Sequence, residues 1–216
     1  MSTAAGSCQR RIQRFLLVLM LILSGWLGPA VADDRVTAAA GLVDALVADI
    51  KQVVAKTPSA EMVTAETNRI IGQYFDFDRI TRFSAGPYWK KATPAERDAY
   101  GTAFRKVLIT LAEKQFDVFS TIEYTPASAF ARGDSWVIVP GKVHDSTGKL
   151  PDAVIQWRVL TKAGKQPRIF DIEVENISML LTQQEENTAV IRQNGGRFSA
   201  LIEAMEKQAA DIAAAN

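Results

Sequence analysis

The sequence predicts an α+β fold, with several helices packed on one face of a twisted antiparallel sheet and enclosing an apolar cavity. Three observations carry that expectation. Apolar residues recur at helical spacing through the first half of the chain. They then alternate with polar ones through three short runs that turn signals separate, and helical spacing returns near the end. Helices, then a meander of strands, then helices again suit segregated layers rather than an alternating parallel sheet.

The first helix is read over residues 34–55, where Val36, Ala39, Ala40, Val43, Leu46, Val47, Ile50, Val53 and Val54 form one stripe. Thr57-Pro58 stops it. A second helix over residues 60–73 presents Met62, Val63, Ile70 and Ile71. Thr93-Pro94-Ala95-Glu96 then combines an N-cap threonine, a proline at the first helical position and a glutamate three residues after the cap. Behind it Tyr100, Ala103, Phe104, Val107, Leu108, Leu111 and Val118 predict one long helix with a strongly apolar side.

From Ile122 the period changes. Trp136-Val137-Ile138-Val139 is a β-branched run closed by Pro140-Gly141. In residues 154–160, Ile155, Trp157 and Val159 alternate with Gln156 and Arg158. Phe170, Ile172 and Val174 alternate with Asp171, Glu173 and Glu175, which read as a solvated face. Asp145-Ser146-Thr147-Gly148 and Ala163-Gly164-Lys165 are the intervening turns. Leu180, Leu181, Val190 and Ile191 then precede Asn194-Gly195-Gly196, a helix stop. A last helix carries Phe198, Leu201, Ile202 and Met205, and the low-complexity tail is expected to fray.

Residues 1–32 read as a secretory signal peptide. Arg10, Arg11 and Arg14 precede an apolar run from Phe15 to Leu27, and Ala30-Val31-Ala32 gives a small-x-small cleavage pattern. The run is shorter than the roughly 20 residues a spanning helix needs. Cys8 lies ahead of the run, away from the position of a lipoprotein cysteine. Cleavage would leave residues 33–216 as a single domain without cysteine, and losing three arginines takes the formal charge from +1 to −2. Such a chain forms no disulfide and carries no broad basic field, which argues against nucleic acid as a partner.

Residues that could carry chemistry are few. His144 is the only histidine, beside Asp145 at a turn, and no G-x-S-x-G elbow accompanies it. A hydrolase built on that pair is therefore the weakest reading. Asp76-Phe77-Asp78 lacks the spacing and glycine of a calcium loop. No phosphate-binding glycine loop is present. These readings give no catalytic residue, no metal site and no cofactor.

Large apolar side chains are plentiful instead. The long helix offers Phe104, Val107, Leu108 and Leu111, and the strands offer Trp136, Ile138, Ile155, Trp157, Phe170, Ile172 and Val174. If helix and sheet face each other, these residues either fill a closed core or line a cavity. Periodicity does not separate the two, because both give the same pattern.

One stretch is more specific. Phe75-Asp76-Phe77-Asp78-Arg79-Ile80-Thr81-Arg82 and Gly86-Pro87-Tyr88-Trp89-Lys90-Lys91-Ala92-Thr93-Pro94-Ala95-Glu96-Arg97 resemble the signature of the MlaC family, the toluene-tolerance-type periplasmic phospholipid-binding proteins. The likeness runs on through the long helix, the strands and the final Asn194-Gly195-Gly196 turn and helix. Within the motif, Phe77 and Trp89 read as packing anchors and Arg79 as the partner of a neighbouring aspartate. The resemblance implies a non-enzymatic periplasmic shuttle with a lipid as cargo, its tails inside the domain. It also implies docking to an inner-membrane ABC transporter with an MCE-domain subunit and to an outer-membrane lipoprotein complex. Residues 176–186, Asn-Ile-Ser-Met-Leu-Leu-Thr-Gln-Gln-Glu-Glu, lack the arginine and aromatic usual there and look like the branch associated with hopanoid biosynthesis. The implied cargo is thus a phospholipid or a hopanoid. A periplasmic adaptor that carries no lipid is the alternative.

Overall fold

The computed structural model describes residues 33–56 and 58–215, so the predicted leader lies outside the described residues. Helix α1 (Asp34–Ala55) buries Ala39, Val43, Leu46 and Val53 on one stripe. Helix α2 (Ala60–Tyr74) starts at Ser59, whose hydroxyl accepts the Met62 N–H. Helix α3 (Phe77–Ser84) is capped by Asp76, which accepts the Arg79 N–H and holds the Arg79 guanidinium at 2.9 Å. A 3₁₀ turn, Gly86–Lys90, leads into α4 (Pro94–Lys114). There Thr93 Oγ1 accepts the Glu96 N–H at 3.2 Å while the Glu96 carboxylate accepts the Thr93 N–H at 2.8 Å. This is the predicted capping box. Thr93→Ala removes one half of it and should lower unfolding free energy by about 1 kcal/mol in urea titration.

The long helix is shorter than its stripe. α4 ends at Lys114, Gln115 leaves helical geometry at φ −98°, ψ 10°, and α5 (Phe116–Thr121) begins there as a separate helix. Val118 therefore belongs to α5 and not to the α4 face.

Six strands form one antiparallel sheet: β1 (Ile122–Pro126), β2 (Phe130–Arg132), β3 (Trp136–Asp145), β4 (Ala153–Leu160), β5 (Arg168–Val174) and β6 (Ile177–Ser178). Their order is β1-β3-β4-β5-β6, and β2 shares the β1 side of β3. Pro140-Gly141 was expected to end β3, yet the strand continues to Asp145. The reason is local. Pro140 O accepts from Ala127 N and Tyr124 Oη, so its nitrogen faces the gap where β1 gives way to β2. A missing N–H costs no ladder bond there. Gly141 is required by the Tyr124 ring, which occupies the space a Cβ would fill.

In β5 the register shifts opposite Arg158/Val159. Ile169, Phe170 and Asp171 are consequently all buried, and strict alternation fails. Asp171 was read as solvated. Its side chain is 1% exposed, because Arg158 and the start of the next helix close over it. Glu175 and Asn176, both at positive φ, form the two-residue turn to β6. Helix α6 (Met179–Gln193) follows, capped by Ser178, and α7 (Ser199–Ala214) closes the chain. The tail expected to fray is helical to Ala214, and Ile212 packs on the helices.

These elements bury two separate cores. One is helical: Ile71, Phe77, Tyr100, Ala103, Phe104, Val107, Ile191, Leu201 and Met205 join α2, α3, α4, α6 and α7. Asn187 Nδ2 donates to Tyr100 Oη at 2.8 Å and to Ser84 O at 3.0 Å, pinning α6 to α4 and α3. The other core lies between α1 and the sheet: Ala39, Val43 and Leu46 meet Val137, Val139, Trp157, Val159 and Ile169, with Tyr74 of α2. Helix α2 supplies both, through Ile71 to one and Tyr74 to the other.

Candidate functional site

The long helix and the sheet do not face each other as the sequence analysis expected. The apolar face of α4 joins the helical core, where α7 is its main neighbour, and α1 covers the sheet. The predicted site residues therefore fall into separate groups. Phe104 and Val107 are buried in the helical core, with Leu108 packed against it, and Leu111 is 37% exposed. Trp157 lies in the α1–sheet core with Ile155 and Ile172 against it. Val174 is half-buried opposite Ile155. Trp136 and Ile138 point to the other face of β3 from Val137 and Val139. There the Trp136 and Phe170 rings are 5.3 Å apart.

An apolar cavity exists at the seam where α1 and α2 meet α4 and α5. Its volume is about 130 Å³. Ile50, Val53 and Val54 of α1, Val63, Thr67 and Ile70 of α2, Ala112 of α4, and Phe116 and Phe119 of α5 line it, and Glu66 stands at its edge. Ile50 and Ile70 also pack against the α1–sheet core, so the cavity borders that core. The break at Gln115 is what turns Phe116 and Phe119 toward α1 and α2. Phe119 is 43% exposed and Met62 46%, which leaves apolar surface beside the cavity.

None of the predicted site residues lines this cavity. Ile50, Val53, Val54, Val63 and Ile70 stand in the predicted stripes, but nothing in a stripe marks which of its residues face a void. Phe116 and Phe119 carried the only available signal, an i, i+3 aromatic pair just past the α4 face.

Polar ties hold the seam. Arg69 of α2 reaches Asp49 of α1 at 2.9 Å and Glu66 at 2.7 Å, and Tyr74 Oη donates to the same Asp49 at 2.5 Å. Hydrogen bonds from Tyr74 and then Arg69 hold the Asp49 carboxyl below its usual pKa. Thr64 donates to Glu113, tying α2 to α4. At exposed positions such ties contribute little individually. Of these ties, Thr64–Glu113 is the one that crosses from α2 to α4, and the Asp49 set joins α1 to α2.

The His144–Asp145 pair is not assembled for hydrolysis. His144 Nδ1 lies 2.7 Å from Asp152, exposed on β3, and that contact raises the imidazole pKa. Asp145 turns the other way and accepts from Thr147, Lys149 and Leu150. Ser146 donates its hydroxyl to Thr121 O. Among the described residues, no group of three or more His, Cys, Asp and Glu could hold a metal ion, and no helix is long and apolar enough to cross a membrane.

Comparison with known proteins places this architecture. The family model described as MlaC protein matches residues 41–207. Among solved structures, the chain is similar to the phospholipid-binding protein from Ralstonia solanacearum, determined in complex with a phospholipid. That likeness has a TM-score of 0.69 at 20% identity, and covers 83% of this chain and 98% of the other.

Proposed function

Since the chain belongs to the MlaC family, we propose that it is a periplasmic, non-enzymatic lipid carrier that takes a phospholipid's acyl chains into the seam where α1 and α2 meet α4 and α5. The observation that carries this reading is the cavity itself: its wall is almost wholly apolar and it is bounded by four helices. At about 130 Å³ it matches the roughly 150 Å³ of an engineered cavity that holds benzene, and falls short of the about 300–1,000 Å³ of ordinary ligand sites. Loading therefore requires the seam to widen, with α1 and α2 moving from α4 and α5. Each methylene that enters gains about 0.8 kcal/mol over water. A few methylenes offset the Thr64–Glu113 hydrogen bond that ties α2 to α4, worth about 1–3 kcal/mol.

In this reading residues 1–32 direct export and are removed, and the carrier moves between an outer-membrane lipoprotein complex and an inner-membrane ABC transporter with an MCE-domain subunit. Phospholipid is the cargo, by analogy with the Ralstonia protein and its bound phospholipid; a hopanoid is the second candidate. One observation favours the non-carrying adaptor, namely that both cores are filled.

The test is purification without detergent, followed by solvent extraction and mass spectrometry. About one phospholipid per chain is expected, in the His144→Ala variant as well. Recovered hopanoid would change the cargo. A lipid-free protein that also takes none from vesicles would establish the adaptor, and lost lipid handling in His144→Ala alone would revive the hydrolase.

A further inference from the structure

Two open grooves lie away from the seam. One, of about 540 Å³, runs between α3, the 3₁₀ turn, α6 and the starts of β3 and β5. The other, of about 630 Å³, runs between α3 and the first turns of α4. Asp78 and Trp89 line both, so the grooves adjoin. The signature motif forms most of their walls, and the cavity does not use that motif.

The first groove has an aromatic wall. Phe83 stands edge-on to Phe170 at 5.5 Å, Phe170 meets Trp136, and Phe83 is 37% exposed. Its rim carries Arg82 and Lys90, both exposed, whose side chains have no ion-pair partner among the described residues. In the second groove, Arg97 lies over the Trp89 ring at 5.4 Å and Arg105 over the Phe77 ring at 4.1 Å. Neither guanidinium has a carboxylate partner there. Thr81, 4% exposed, also lines this groove, and its Oγ1 is without a hydrogen-bond partner among the described residues. A buried hydroxyl left so is a polar group awaiting one.

Charge is distributed unevenly around these grooves. Residues 78–106 hold seven lysines and arginines against three carboxylates, a formal +4, whereas the rest of residues 33–216 carries −6. Of these cations, Arg79, Arg82 and Lys90 line the first groove against Asp78, whereas Arg97 and Arg105 in the second face Asp78 and Asp98, so the unmatched positive charge lies on the first groove. Cations beside exposed aromatic rings in a concave channel fit an anionic chain with apolar side groups. A bilayer surface is broad and flat, and engages apolar groups that project outward. Here the rings form the wall of a groove.

We propose that the first groove is the docking site for an acidic segment of a partner polypeptide bearing aromatic or large apolar side chains. Its carboxylates would meet Arg82 and Lys90, and an apolar side chain would rest against Phe83 and Phe170. This deepens the carrier reading by assigning partner recognition to a surface apart from the cargo. It rests on that reading for its use alone.

The experiment measures fluorescence anisotropy of a labelled synthetic peptide of Glu and Phe residues with the purified protein. A Lys-and-Phe peptide of equal length and phosphatidylglycerol vesicles are the comparison probes. The Glu peptide should bind, weaken as salt rises, and bind at least about tenfold more weakly to Arg82→Glu/Lys90→Glu. Phe83→Ala should weaken it too. The double variant changes exposed side chains and should keep wild-type lipid content and thermal stability, whereas Phe83→Ala gives up the Phe170 ring contact and should keep the lipid content at a slightly lower melting temperature. Equal binding of the two peptides, or of wild type and the double variant, overturns the proposal. So does a vesicle affinity that the double variant abolishes while the peptide binds neither protein, which would assign the face to a membrane. A wild-type protein that holds no lipid yet binds the Glu peptide in this way would defeat the carrier reading and leave the docking site standing.

Discussion

Ala112→Trp is expected to fold, to keep or slightly raise its melting temperature, and to lose most of its lipid. Ala112 is half-buried on α4 and lines the cavity at the seam, so an indole there occupies space that is otherwise empty. No filled core has to be repacked. Excluding even three methylenes of an acyl chain costs about 2.4 kcal/mol, roughly fifty-fold in affinity. Phosphorus and protein assays on detergent-free preparations check the ratio. The contrast with Val107→Trp is informative. From sequence alone both residues belong to one apolar helix, but Val107 is 2% exposed inside the helical core. A tryptophan there overpacks the core by about 1–3 kcal/mol or more, and its effect on lipid would follow from damaged folding. Unchanged lipid in Ala112→Trp would contradict a cargo site at this seam.

Asp171→Ala should lower stability by about 3 kcal/mol in urea titration. The carboxylate accepts from Arg158 at 3.0 Å, from Ser178 Oγ at 2.6 Å, and from the Ile172 and Leu180 N–H groups. Removing it leaves these donors buried and half of an ion pair unmatched, for which about 3–5 kcal/mol is typical. The low end applies because Arg158 retains Glu173 at 3.6 Å. The position matters to the fold because this one side chain joins β4, β5 and the start of α6. Asp171→Asn, which keeps one acceptor oxygen, should lose less. A loss below about 1 kcal/mol for the alanine variant would mean that the network is not coupled as the contacts indicate.

How far the fold could be read from sequence depended on whether each signal was local. The α1 stripe, the Thr93–Glu96 capping box and the Asn194-Gly195-Gly196 stop depend on neighbouring residues, and each element falls where those residues place it. Pro140 and Asp171 misled for the opposite reason. Whether a proline interrupts a strand depends on which neighbour its nitrogen faces, and whether an alternating aspartate is solvated depends on bulges and on what packs over it. Both are tertiary facts.

The site was harder still. An α4 stripe packs equally well on a sheet or on α7, and composition does not choose between them. The division into two cores decides where a cavity forms, and it arises from α1 taking the sheet face that α4 was expected to cover. The family signature was legible throughout, but its residues pack the helical core and line the outer grooves, away from the seam cavity.

The most direct test of the seam as the cargo site uses a phospholipid with a photoactivatable diazirine at the end of one acyl chain. The lipid is loaded from vesicles, illuminated, and its adducts are mapped by peptide mass spectrometry. Adducts at Ile70, Ala112, Phe116 and Phe119, lost in Ala112→Trp, are the predicted result. Adducts confined to the Trp136 and Phe170 face, or to neither, would contradict it.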